Sequence, residues 1–184
     1  MKKKIGLIVG SLRRESFNKK VAKILVNTIT EKSQHTYHII EIGHLPFYNQ
    51  DFDAEGAPSG IDEFRQEIAQ QDAFIFLTPE YNRSIPAVLK NALDVASRPY
   101  GKSVWNGKPA AIISVSIGAI GGFGANHHLR QCLTFLNMPA LQQPEMYIGN
   151  IAELLNDDGT FKAEQTIDLF NKFIQAFEEW IEKF

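Results

Sequence analysis

Cysteine is nearly missing from the 184 residues: the single Cys132 rules out an internal disulfide. On a helical face it reads as a buried structural thiol rather than a nucleophile. No apolar run approaches the length of a membrane span, and no signal-peptide core follows the first residues. Neither sign of charge dominates. Nineteen Lys and Arg against 21 Asp and Glu leave a net charge of -2, which gives no electrostatic basis for binding nucleic acid or an anionic membrane. The run Lys2-Lys3-Lys4 leads straight into an apolar stretch and is a solvated terminus. Repeats and low-complexity segments are absent. Also missing are the lysine of G-x-x-x-x-G-K-[ST] and the three glycines of G-x-G-x-x-G, which disfavours a nucleoside triphosphate or a Rossmann-bound dinucleotide. What is present is 44% hydrophobic content in a chain of ordinary domain size. The expectation is one cytoplasmic domain spanning residues 1–184.

Strand-like and helical patterns alternate along that domain. Residues 5–9 form a short apolar run, followed by a polar turn and a helical pattern over 17–30 with Val21, Ile24, Leu25 and Ile29 in phase. Residues 35–42 read as a second strand, and 61–70 as an amphipathic helix. Between them lies a long loop that carries Phe47 and Tyr48. The continuous apolar run 73–77 has the character of a central parallel strand covered on both faces. A helix over 87–97 starts after Pro86. A fourth strand over 110–116, a helix over 125–136, a short strand over 145–148 and a closing helix over 160–184 complete the chain. This alternation predicts an α/β three-layer sandwich with a five-stranded parallel sheet in the flavodoxin-like order 2-1-3-4-5. In that order the loops after strands one, three and four meet over one site at the carboxyl ends of the strands.

The first of these loops, Gly10-Ser11-Leu12-Arg13-Arg14-Glu15-Ser16-Phe17-Asn18, sits where a strand ends and a helix begins. A helix start offers unpaired N–H groups and a partial positive charge, and so attracts an anion. Ser11, Ser16, Asn18 and Arg13 add donors. A monophosphate fits this cup. The plainer alternative is a surface turn in which Ser16 only caps the helix. In the second loop, Pro79 ends a strand and frees the N–H groups of Glu80, Tyr81 and Asn82 for a flat polar heterocycle. The alternative there is a rigid strand-to-helix connection. In the third, Ser116 with Gly118, Gly121 and Gly122 lets a ring approach the backbone, although glycines also serve ordinary turns.

Gly10-Ser11-Leu12-Arg13 with Ser16-Phe17-Asn18, then Thr78-Pro79-Glu80-Tyr81-Asn82 with Ser84, Pro86 and Leu89-Lys90-Asn91-Ala92, then Ser116-x-Gly118-x-x-Gly121-Gly122 before His128-Leu129-Arg130-Gln131, together resemble the NADPH-dependent FMN reductase family. The nearest branch is that of the chromate and quinone reductases and azoreductases. The resemblance covers roughly residues 4–149. It implies bound FMN, NAD(P)H as co-substrate and a homodimer or homotetramer. Carried over, Ser11, Arg13, Ser16, Phe17 and Asn18 hold the FMN phosphate. Pro79, Glu80, Tyr81 and Asn82 border the ring, and Ser116 with Gly118 completes its far edge. Arg83 departs from the aromatic residue that relatives often carry.

The implied activity passes hydride from a nicotinamide through FMN to quinones, azo compounds, free flavin or metal oxyanions such as chromate. No side chain is needed as acid or base, and Glu80 contributes mainly backbone. His127 and His128, adjacent on a helix, point to different faces and are not metal ligands. Tyr48, Tyr100 and Trp105 either flank the open flavin face or simply pack. A flavodoxin-type electron carrier without its own NAD(P)H turnover is the alternative function, disfavoured by the weak net charge; a module binding only a phosphorylated metabolite leaves two of the three loops unexplained.

Overall fold

The computed structural model describes residues 1–31 and 33–184. Five strands, β1 (Lys4–Val9), β2 (Thr36–Ile40), β3 (Ala73–Thr78), β4 (Ala110–Val115) and β5 (Met146–Ile148), form one parallel sheet in the order β2-β1-β3-β4-β5. Every residue of β3 and β4 is buried, as strands covered on both faces require. The register sets Val9 against Leu77 and Leu77 against Ile113, so β1, β3 and β4 end side by side. That alignment brings their following loops together.

Alternate residues of each strand point to opposite faces and build two cores. Ile5, Leu7, Ile75, Leu77 and Ile113 pack under helices α1 (Phe17–Ile24) and α7 (Glu164–Ile181). On the other face Ile8, Phe74, Phe76 and Ile112 meet α3 (Ile61–Ala69), α4 (Ala87–Ala96) and α5 (Phe123–Phe135). Short helices α2 (Phe52–Glu55) and α6 (Ile151–Leu154) interrupt stretches that carry no helical periodicity of useful length.

Several boundaries differ from the pattern expected along the chain. The first helix is α-helical only to Ile24, then widens into a π turn over Leu25–Ile29. Thr30 closes it, its N–H and its hydroxyl both donating to the Leu25 carbonyl at 3.0 Å. The closing helix starts only at Glu164. Phe161 lies ahead of it in a bridge to Leu155 and stacks on Phe170 at 4.8 Å. Trp105 is fully buried, 4.9 Å from the ring of Phe74, with its indole N–H donating to the Leu93 carbonyl at 3.0 Å. It is therefore a core residue. Cys132 is half-buried rather than buried, because α5 turns that face toward its helix-side neighbours and solvent; burial still pushes its thiol up.

Candidate functional site

Gly10 makes the last sheet-like bond of the first strand, its N–H donating to the Leu77 carbonyl at 2.8 Å. Beyond it the chain turns away, and among the described residues the backbone N–H groups of residues 11–18 donate to no protein acceptor. Ser16, extended at φ -76°, ψ 122°, caps α1 by accepting the Lys19 N–H at 3.2 Å. Its hydroxyl hydrogen stays available. Ser11, Ser16 and Asn18 are buried while Arg13 faces solvent. Asn18 donates from Nδ2 to the Val115 carbonyl at 3.4 Å, tying this loop to the end of β4; its buried Oδ1 has no protein partner.

The loop after β3 is a tight hairpin. Tyr81 and Ser84 exchange both backbone hydrogen bonds at 2.9 Å, and the two residues between them, Asn82 and Arg83, stand at φ 50° and 65°. Both positive values match the two-residue turn that fits strand twist, and Asn tolerates it better than Arg. The Tyr81 N–H is thus committed, whereas those of Glu80 and Asn82 are unclaimed. After β4, Ser116 Oγ accepts the Gly118 N–H at 3.0 Å, so this donor is also committed within the protein. Gly121 (φ 66°) must lack a side chain, because a Cβ there would lie 2.7 Å from the Tyr147 carbonyl carbon.

The three loops enclose one cleft of about 230 Å³. Nine of the residues singled out in the sequence line it: Ser11, Arg13, Ser16, Phe17 and Asn18 on one side, Pro79, Glu80 and Tyr81 on the second, and Ser116 on the third. Asn82 and Gly118 do not line it. Val115 and Ile117 were not foreseen; the signal for Ile117 was an apolar residue inside a Ser/Gly turn, where it stays 68% exposed. Tyr48, Tyr100 and Trp105 do not line the cleft. Tyr48 donates its hydroxyl to Asp53 at 2.8 Å, and Tyr100 projects into solvent. His127 pairs with the Tyr147 hydroxyl at 3.0 Å and His128 with Ser84 Oγ at 2.9 Å.

Residues 3–153 match the family model described as NADPH-dependent FMN reductase. The chain belongs to the NADPH-dependent FMN reductase family. A quinone reductase of Pseudomonas putida is 51% identical over 177 residues, covering 96% of this chain and 94% of that protein. A 2-hydroxy-1,4-benzoquinone reductase of a Burkholderia species is 44% identical, with 97% and 96% covered. Among solved structures, FerB, a flavoenzyme NAD(P)H:(acceptor) oxidoreductase from Paracoccus denitrificans, superposes with a TM-score of 0.90 at 41% identity over 98% of each chain. Membership makes this FMN reductase an oxidoreductase of flavodoxin-like fold that works with FMN and NAD(P)H. A reductase family is an enzyme family, so the alternative of a passive electron carrier falls. No described helix of this family member is long and apolar enough to cross a membrane.

Proposed function

We propose that residues 1–184 act as one FMN-binding domain that carries hydride from NAD(P)H to quinones. Azo compounds, free flavin and metal oxyanions such as chromate are further acceptors. The observation that carries this reading is the convergence of three strand-end loops on one cleft with an unclaimed donor set. The chemistry of that set suits FMN part by part. Free N–H groups, two serine hydroxyls and the Arg13 charge suit a phosphate. The orphaned Asn18 Oδ1 suits a hydroxyl of the ribityl chain, and the unclaimed Glu80 and Asn82 N–H groups suit the acceptor edge of a heterocycle.

Bound FMN supplies the acceptance and delivery of hydride. The protein positions it: Ser11, Arg13, Ser16, Phe17 and Asn18 hold the phosphate and the adjoining chain, and Pro79, Glu80, Tyr81 and Asn82 border the ring. Ser116 and Gly118 support its far edge, with Ile117 beside them. The unclaimed N–H dipoles of Glu80 and Asn82, not those of Ser116 and Gly118, would favour negative charge on the ring edge facing them. The Glu80 carboxylate oxygens are engaged by the Ala125 N–H and Arg83, which suits a structural role rather than proton transfer. Tyr81, half out of the cleft, and Ile117 give the mouth an apolar rim that favours planar acceptors.

A homodimer or homotetramer accompanies this reading, built on α4 and α5; Phe135 at the end of α5 is 84% exposed and Tyr100 nearby 85%. Sedimentation as a monomer at micromolar concentration refutes that part. Dependence on NAD(P)H supports a cytoplasmic setting. The test of function is direct. The purified chain, loaded with FMN, is expected to bleach on anaerobic addition of NADPH and to recover colour with benzoquinone. A colourless protein that cannot be reconstituted refutes the flavin reading.

A further inference from the structure

Helix α5 has no cap of its own. Gly122 occupies its N-cap position at φ 75°, without a side chain to accept an N–H. The acceptor comes from another loop: Glu80 Oε2 takes the Ala125 N–H, at the third helical position, at 3.1 Å. That is the hydrogen bond a Ser or Asp N-cap ordinarily makes, supplied here from 45 residues earlier in the chain. The other oxygen, Oε1, accepts from Arg83 Nη1 at 3.1 Å. The Glu80 side chain is only 13% exposed, while that of Arg83 is 76% exposed. The first helical turn is shaped around this carboxylate. A Cβ on Gly124 would stand 2.9 Å from Glu80 Oε2 and 3.0 Å from the Arg83 carbonyl oxygen. One turn further, His128 Nδ1 meets Ser84 Oγ at 2.9 Å and makes a second tie between the same hairpin and the same helix.

We infer that Glu80 is a positioning residue, whose carboxylate caps α5 from the neighbouring loop and locks the Pro79–Ser84 hairpin to the segment that follows Ser116. This rests on the reading that the flavin ring lies between those two walls. Left apart, each wall is a loop with its own motion, and a ring slot of fixed width exists only in the fraction of molecules where they stand correctly. Apparent affinity falls in proportion to that fraction. The largely buried carboxylate removes this penalty, since leaving a helix-terminal N–H and a largely desolvated carboxylate unpaired is costlier than pairing them. The otherwise unfavourable φ of Arg83 fits the same device: it turns the side chain back onto Glu80, where a guanidinium satisfies the second oxygen.

The test compares Glu80→Ala with Glu80→Gln in the full chain, using FMN fluorescence quenching and amide hydrogen exchange without added ligand. Glutamine keeps an acceptor for the Ala125 N–H and gives up the Arg83 pair; alanine gives up both. Glu80→Ala is expected to exchange the Ala125 and Asn126 amides on the order of tenfold faster. It is expected to bind FMN on the order of tenfold more weakly. Glu80→Gln is expected to stay within about twofold of the parent on both counts. Gly124→Ala is the second variant, because it displaces the carboxylate without removing it. It is expected to weaken FMN in the parent and to cost less in the Glu80→Ala background, as coupled sites do. Unchanged amide exchange in Glu80→Ala, or equal losses in Glu80→Ala and Glu80→Gln, overturns the inference. If the parent itself binds no FMN, the flavin reading fails, and the exchange data alone then decide whether the lock exists.

Discussion

Arg13→Ala is the perturbation that separates a phosphate cup from an ordinary surface turn. Arg13 lines the cleft, while its neighbour Arg14, also exposed, does not. Neither forms an ion pair among the described residues, so removing either leaves no buried charge behind. A charge-assisted hydrogen bond contributes about 1.5–3 kcal/mol. Arg13 faces solvent, where a unit pair at 4 Å retains only about 1 kcal/mol in bulk water and about 4 at a surface-like dielectric. Its loss therefore costs about 1–2 kcal/mol of FMN affinity, roughly five- to thirtyfold. Arg14→Ala should cost less than about 0.5 kcal/mol. Riboflavin, without the phosphate, serves as the internal control and should bind parent and Arg13→Ala alike. Isothermal titration at low and at physiological salt reads all of this. The Arg13 contribution should shrink as salt screens it over a Debye length of about 8 Å. Equal losses for Arg13→Ala and Arg14→Ala, or a riboflavin affinity that falls with FMN affinity, would mean that Arg13 does not hold the phosphate.

Ser16→Ala removes both the α1 cap and a cleft hydroxyl. It should lower stability by about 1 kcal/mol, about 2–4 °C in Tm by calorimetry, and weaken FMN binding as well. Trp105→Phe removes the indole donor from the Leu93 carbonyl, which keeps only the Ser97 N–H at 3.1 Å, and puts a smaller ring in the core. A stability loss of about 1–2 kcal/mol in urea, from the lost hydrogen bond and looser packing, with unchanged KM for NADPH and quinone is expected; a selective KM change would return Trp105 to the site mouth. Burial, and after it the Glu145 carboxylate, push Tyr147 up from 10.0 to about 12. A raised folded-state value favours the neutral phenol, so the stability it brings is complete below about pH 10 and is lost as pH climbs toward 12. Ultraviolet titration of tyrosinate in the parent minus Tyr147→Phe should show that delayed midpoint; one at 10 contradicts it.

The sequence carried the parts of the fold that local pattern encodes. Continuous apolar runs marked β3 and β4, and polar or glycine-bearing turns at three strand ends marked the cleft, so nine lining residues were legible in the sequence. Features set by distant partners were not. Trp105 lies in an irregular stretch, and only the packing of Phe74 and Phe76 and the indole bond to the Leu93 carbonyl show that it belongs to the core. The commitment of the Tyr81 and Gly118 N–H groups depends on Ser84 and Ser116 Oγ, hence on turn geometry rather than residue type. The Glu80 cap spans 45 residues and has no periodic signature at all. The π turn of the first helix came from Thr30 bonding back to Leu25, a competition that apolar spacing does not register.

The most direct measurement is a crystal structure of the chain with FMN bound. The phosphate is expected within hydrogen-bonding distance of the N–H groups of residues 11–18, and the ring between the Pro79 and Ser116 turns. A phosphate docked at any other helix, or those two turns on opposite sides of the molecule from the ring, contradicts that placement.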